Sequence, residues 1–234
     1  MRTSALRRTS LAALALVVVA TTACGDSTSP NQDTQARFVH AAAGKGTVNF
    51  SVDNALLGPN VAYAGSNALT YKSFTAGNRK VTARLLDATT DLASATQALE
   101  AGRQYTAVLV KRTAGEAIAI FSDNNTAAAA GKTRVRVINA APAAASVDVY
   151  VTAVDADLAN ATATMSDVKF EKASNYVEVA KGTSRIRLTT TGTKTVVLDL
   201  NNVALPDGGV RTVVLLDADQ GGTPLKSITV NDRG

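Results

Sequence analysis

The 234-residue sequence contains no tryptophan, one histidine and one cysteine, and each scarcity removes a class of chemistry. A single cysteine cannot form an intramolecular disulfide, so the folded part must be held by its cores even in an oxidising compartment. A typical nitrogen/sulfur zinc set needs three or four ligands, and one imidazole with one thiol cannot assemble it. The lone His40, beside alanines on an expected strand, reads as a packed or surface residue rather than as the base of a nucleophilic triad. Glutamate is sparse: Glu100, Glu116, Glu171 and Glu178 are scattered along the chain. No glycine-rich phosphate loop precedes a helix. Five Tyr and five Phe give little material for an aromatic sugar-binding platform. The expectation is a non-enzymatic protein without a cofactor or a metal site.

Long apolar runs are missing too. The longest, Leu11 to Ala20, has ten residues, against about twenty needed to span a hydrocarbon core. It follows the basic Arg2, Arg7 and Arg8 and precedes the small residues Thr21-Thr22-Ala23 and then Cys24. That order is an export signal, residues 1–23, and Cys24 sits where a bacterial lipobox places the cysteine that is acylated. Cleavage of an ordinary secretory signal near Ala23 is the alternative, because Thr21 stands where a lipobox carries an aliphatic residue. Gly25, in place of an inner-membrane retention aspartate, points the anchored protein to the outer membrane or cell surface. The sequence thus predicts membrane attachment through Cys24, with residues 24–35 as a flexible tether lacking aliphatic side chains. Losing residues 1–23 removes three arginines and no acid, so the net charge of +5 drops to +2. No concentrated basic footprint survives, which argues against nucleic acid as a partner.

The remainder is an internal duplication. Ala36-Arg37-Phe38-Val39-His40-Ala41-Ala42 aligns with Val135-Arg136-Val137-Ile138-Asn139-Ala140-Ala141. Thr106-Ala107-Val108-Leu109 meets Thr212-Val213-Val214-Leu215, and Ile120-Phe121-Ser122-Asp123 meets Thr229-Val230-Asn231-Asp232. Two copies result, 36–123 and 133–234, joined by a small-residue linker over 124–132. Within each the hydrophobic period is two, as in Arg134-Val135-Arg136-Val137 and Ser146-Val147-Asp148-Val149-Tyr150-Val151. Strand-like runs near 36–42, 47–53, 60–64, 68–74, 79–86, 92–98, 104–111 and 116–122 are punctuated by Gly, Asn and Asp turns. A short helix is expected only over 153–163. The spacing predicts an all-β protein of two tandem immunoglobulin-like β-sandwiches. Leu99-Glu100-Ala101-Gly102-Arg103-Gln104-Tyr105 fits a tyrosine corner, whose second-copy equivalent carries Arg211 at the tyrosine position.

These residues resemble a known family, domain of unknown function 4397. The resemblance rests on Arg37-Phe38-Val39-His40-Ala41, on Pro142 after Asn139-Ala140-Ala141, on Val147-Asp148-Val149-Tyr150, on the Ala76-Gly77 turn, and on Ala101-Gly102-Arg103-Gln104-Tyr105-Thr106. It covers nearly all of residues 36–232 in two copies. The chain departs from the family pattern at Ala43-Gly44-Lys45, where a proline is usual, and at Asn139, where a histidine is usual. The resemblance implies exported bacterial proteins, often duplicated and often lipoproteins, and implies no activity.

Surface candidates for ligand contact are Arg134, Arg136, Arg185 and Arg187, which form a basic stripe if two of their strands share an outward sheet face, with Tyr150 as an outward aromatic. Asp155-Ala156-Asp157 and Asp217-Ala218-Asp219 invite a calcium reading, but they lack EF-hand spacing and fit turn capping. The preferred function is an envelope interaction or structural module with an unidentified envelope protein or polysaccharide as partner. The alternatives are a glycan- or cell-wall-binding module, a hydrolase with an unrecognised carboxylate site, and a calcium-stabilised spacer.

Overall fold

The structure, a computed structural model, describes residues 32–65 and 67–233. The expected signal peptide, Cys24 and the tether as far as residue 31 lie outside the described residues. From there the chain is all strands and turns, as its period of two dictates. Eight strands build a first sandwich: β1 (Asp33–Ala41), β2 (Val48–Val52), β3 (Ala55–Val61), β4 (Lys72–Thr75), β5 (Gly77–Leu85), β6 (Ala93–Leu99), β7 (Gln104–Arg112) and β8 (Gly115–Asp123). Nine build a second: β9 (Lys132–Asn139), β10 (Ser146–Thr152), β11 (Met165–Lys169), β12 (Lys172–Ala173), β13 (Val177–Ala180), β14 (Gly182–Thr190), β15 (Val196–Leu205), β16 (Val210–Leu216) and β17 (Lys226–Arg233).

The strand orders match. The first sandwich pairs a β4-β1-β7-β8 sheet with a β3-β2-β5-β6 sheet. The second pairs β12-β9-β16-β17, with β13 also on β9, against β11-β10-β14-β15. In each, the opening strand runs parallel to a late one, β1 beside β7 and β9 beside β16, and all other pairings are antiparallel. The β2–β3 hairpin turns on Asp53 and Asn54, at φ 46° and 74°. Positive φ at both central positions suits the right-handed twist of the flanking strands, and Asp and Asn tolerate it.

Alternation explains how the two sandwiches meet. On β1 and β7, Ala36, Phe38, Ala107 and Leu109 face the first core, where the Phe38 and Phe50 rings stack with centroids 5.1 Å apart. On β9 and β16, Val135, Val137, Val213 and Leu215 face the second core. The opposite faces of these same strands, Val39, Ala41, Val108 and Val110 on one side and Ile138, Ala140, Val214 and Leu216 on the other, join in a third apolar cluster. The two inner sheets therefore pack on each other, giving four sheets in succession. Strands buried on both faces read as near-continuous hydrophobic runs, and β16 is buried at every residue from Val210 to Leu216.

Several boundaries differ from expectation. β1 starts at Asp33 rather than 36, because Thr34 is buried and donates its hydroxyl to the Arg103 carbonyl, 3.0 Å. The third strand lies at 55–61 rather than 60–64, drawn N-terminal by the tight Asp53-Asn54 turn, and β4 is confined to 72–75. No helix forms over 153–163. The Asp157 carboxylate accepts from the Ala159 amide, 3.0 Å, a local bond that competes with helix, and the segment folds as turns over the outer face of the second sandwich. Between β8 and β9 the chain is held rather than loose: Asn125 Nδ2 donates to Tyr71 Oη, 3.0 Å, and to Gln104 Oε1, 2.6 Å, and the Ala128 amide to the Gly208 carbonyl.

Candidate functional site

The polar residues that the structure brings together lie between the sandwiches. Strand register places Arg37 opposite Thr106 on the parallel pair β1–β7, and Arg136 opposite Thr212 on β9–β16. Both arginines turn toward the third cluster. Arg37 Nε donates to Thr106 Oγ1, 2.8 Å, and Arg136 Nε to Thr212 Oγ1, 2.9 Å. Their outer nitrogens then cross. Arg37 Nη2 donates to Asp232 of the second sandwich, 2.6 Å, and Arg136 Nη2 to Asp123 of the first. Each aspartate also takes the hydroxyls of its own sandwich: Asp123 from Thr106 and Tyr71, at 2.7 and 2.6 Å, and Asp232 from Thr212 and Tyr176, at 2.6 and 3.0 Å. The guanidinium carbons sit 4.8 Å from the Tyr71 ring centre for Arg37 and 4.6 Å from the Tyr176 ring centre for Arg136. Two arginines, two aspartates, two threonines and two tyrosines thus form one buried network with pseudo-two-fold symmetry.

Electrostatics account for its coherence. Burial works against the Arg37 charge, and Asp232 and Asp123 outweigh it, holding the guanidinium above its ordinary range. Burial together with the nearby aspartate pushes the Tyr71 hydroxyl far above its ordinary range. Burial does the same to Tyr176, so both phenols stay protonated as donors. A buried ion pair is seldom a net stabiliser, whereas stripping one partner leaves an uncompensated charge. The network therefore couples the two sheets through the cost of separating them, since parting the sandwiches strands a buried charge on each side. Among the described residues Arg37 Nη1 has no hydrogen-bond partner, whereas Arg136 Nη1 donates to the Ser122 carbonyl, 3.0 Å.

The expected basic stripe is corrected. β9 and β14 belong to different sheets, so Arg134 and Arg136 never share a face with Arg185 and Arg187. Arg136 is 2% exposed, inside the network, and Arg187 is 5% exposed, under the 153–164 segment, where its Nη2 donates to the Ala156 carbonyl, 2.9 Å. Tyr150 does alternate outward from the core but is 4% exposed, with the Lys194 ammonium 4.3 Å from its ring centre. Of the five, Arg134 and Arg185 keep partial exposure. Arg185 is engaged by Asp199, and Arg134 rims a cleft between the sandwiches. Cys24, the expected lipid site, lies outside the described residues.

That cleft is open to solvent and has a volume of about 840 Å³ between β8 and the 171–176 segment, with Arg112, Ser122, Asn124, Arg134, Lys172 and Asn175 on its walls. Arg112 forms a two-pronged pair with Glu171. Arg134 Nη1 donates to neutral oxygens of Asn124 and Thr126 and lies 4.8 Å from the Tyr176 ring centre.

His40 and Asn139 explain each other. His40 Nδ1 accepts from the Ala42 amide, 3.3 Å, and Nε2 meets the Gly46 carbonyl, 3.0 Å. Asn139 Oδ1 accepts from the Ala141 amide, 3.1 Å, and Nδ2 donates to the Ala144 carbonyl, 2.7 Å. Imidazole and carboxamide perform one task, closing the turn after the first strand of each sandwich. That task requires a neutral ring, and burial lowers the His40 pKa below its ordinary 6.5. Asp217 likewise spends its carboxylate on backbone amides, of Ala143 at 3.2 Å and Gly222 at 3.0 Å. Among the described residues no three His, Cys, Asp or Glu side chains gather as a metal set. The tyrosine corner is formed, the Glu100 amide donating to Tyr105 Oη, 3.0 Å, while Arg211 at the equivalent place donates to the Arg233 carbonyl, 2.8 Å.

Two β-sandwiches locked through a shared arginine–aspartate network define an all-β tandem protein. The family model "Domain of unknown function (DUF4397)" matches residues 34–150, half of the chain, and the protein belongs to that family. No curated protein matches the chain. Among solved structures it is similar to the C-terminal domain of AlgF from P. aeruginosa, with 19% identity over 44% of this chain and 97% of that one, at a TM-score of 0.28. It is also similar to a candidate cell adhesion protein from Bacteroides uniformis, with 11% identity over 86% and 98% of the two chains, at 0.28. At scores this low neither likeness carries an argument.

Proposed function

We propose that the protein is a non-enzymatic module of the bacterial envelope, exported, lipid-anchored through Cys24 and built from a duplicated family domain. It presents a rigid body of two sandwiches to another envelope macromolecule. The observation that carries this reading is the crossed pairing of Arg37 with Asp232 and Arg136 with Asp123. Tandem domains joined by a short linker default to relative motion unless their interface is large and apolar. Here an apolar cluster and a buried ionic network remove that freedom, which suits a presenting or spacing element. The side chains weighed for chemistry serve the fold: His40 closes a turn, and Asp217 caps amides.

Chemical crosslinking of affinity-tagged full-length protein in its native envelope, followed by mass spectrometry, tests the reading. A stoichiometric envelope partner, whose capture falls when Cys24→Ser removes the anchor, is the expected result. Reproducible recovery of the protein alone, or its release in soluble form with Cys24 unmodified, refutes it.

A further inference from the structure

The two halves differ most where the interface opens. Tyr71 and Tyr176 occupy equivalent places, each just ahead of the strand that pairs with the opening strand, β4 or β13. Counting back from them sets Leu69 against Ser174 and Asn67 against Lys172, while strand register sets Gln35 against Arg134. On the first flank Leu69 and Tyr63 pack into the apolar cluster between the sheets, and Tyr63 Oη donates to the Asp217 carbonyl across the interface, 2.8 Å. On the second flank stands the 840 Å³ cleft, within the range of about 300–1,000 Å³ typical of ligand sites.

Its charge is not balanced from within. Arg112 is neutralised by Glu171, and Arg136 by Asp123. Among the described residues no carboxylate forms an ion pair with Arg134 or Lys172: Glu178, opposite Arg134 in the β9–β13 register, accepts from the Ala129 amide, 3.0 Å, while Arg134 donates to neutral oxygens and lies over the Tyr176 ring. Around these two cations stand Ser122, Asn124 and Asn175, which offer hydrogen bonds. The apolar residues on the walls are committed elsewhere, Ile120 to the first core and Phe121 to the inter-sheet cluster. The lining is mainly polar and charged, and its larger apolar side chains, Ile120 and Phe121, are partly buried, so little apolar surface is left to receive the desolvated anchor of a protein partner. A hydroxyl-rich, carboxylated chain matches both the excess positive charge and the polar walls.

We infer that the inter-sandwich cleft binds an acidic polysaccharide, a sugar carboxylate lying between Arg134 and Lys172. The inference rests on the envelope reading and names the ligand class of this one site. The probe is a galacturonic acid hexamer, titrated into full-length protein and followed by calorimetry, beside its neutral methyl ester and a hexaglutamate of equal charge. Saturable binding of the hexamer is expected, at least tenfold tighter than that of the ester or the peptide. R134Q with K172N, which installs the residues of the first half, weakens it at least tenfold with the melting temperature within a few degrees of native; K172N alone, at an exposed side chain, weakens it at least threefold. No saturable binding, equal binding of the ester or the peptide, or indifference to K172N overturns the inference. Crosslinking capture of an envelope partner equally well by native protein and by the double variant leaves the module reading standing while the cleft's role falls.

Discussion

At the scale of single residues, the buried polar groups are the most exposed to test. His40 is neutral in the fold because burial depresses its pKa below 6.5. The unfolded chain therefore binds a proton more readily than the folded one between that lowered value and 6.5. Stability is complete above pH 6.5 and is lost as the pH falls through this window. Melting temperatures from pH 7.5 down to pH 5 should decline in the native protein, and His40→Asn, which copies Asn139, should flatten the decline. An unchanged slope in the variant would show that the ring binds its proton equally in the folded and unfolded chains, against the lowered value. The chain's single histidine keeps this window free of other imidazoles. The role of His40 was half legible in the sequence, since alignment already set Asn139 against it. An amide cannot serve as a general base, so a position that accepts either is structural. The burial of Arg37 and Arg136 was not legible, because a strand's alternation says which residues share a face and not what covers it.

Among elements, the β6–β7 corner and the segment over β14 show where local pattern suffices and where it fails. Leu99, Gly102 and Tyr105 fall at corner spacing, and the hydroxyl does accept the Glu100 amide. Tyr105→Phe removes one partly buried neutral hydrogen bond and should lower the unfolding free energy by about 1 kcal/mol in denaturant titrations. A phenylalanine variant of native stability would reduce the corner to ring packing alone. Arg211, at the same place in the second sandwich, reaches the Arg233 carbonyl from the neighbouring strand, so the position there braces a sheet edge rather than a turn. The short helix expected over 153–163 does not form, because Asp155, Asp157 and Asn160 favour local turns. The position of this segment over the sheet is what buries Arg187. A sequence window cannot show that contact, which joins residues 31 apart.

For the molecule as a whole, the four-charge network decides whether two sandwiches behave as two domains or one. Every member is visible when the two halves of the sequence are aligned, or beside the aligned segments: Arg37 with Arg136, Thr106 with Thr212, Asp123 with Asp232. Polar residues kept in both copies at strand positions flanked by buried aliphatics are the available signal, because an ordinary outer face has no reason to keep them. What alignment could not reveal is the exchange, each arginine reaching the other copy's aspartate. That exchange ties the unfolding of one sandwich to the other. Native protein should melt in a single calorimetric transition whose van't Hoff and calorimetric enthalpies agree. Asp123→Asn removes the carboxylate that Arg136, Thr106 and Tyr71 share and that Arg37 approaches at 3.5 Å, leaving the buried Arg136 guanidinium without its ion-pair partner. Breaking such a pair costs about 3–5 kcal/mol, and the loss falls on the interface rather than on either core. The variant should therefore melt in two separated transitions, the first well below the native midpoint. A single transition shifted downward would instead place the coupling in the apolar cluster of Val39, Val108, Ile138 and Val214, with the ionic network setting register alone.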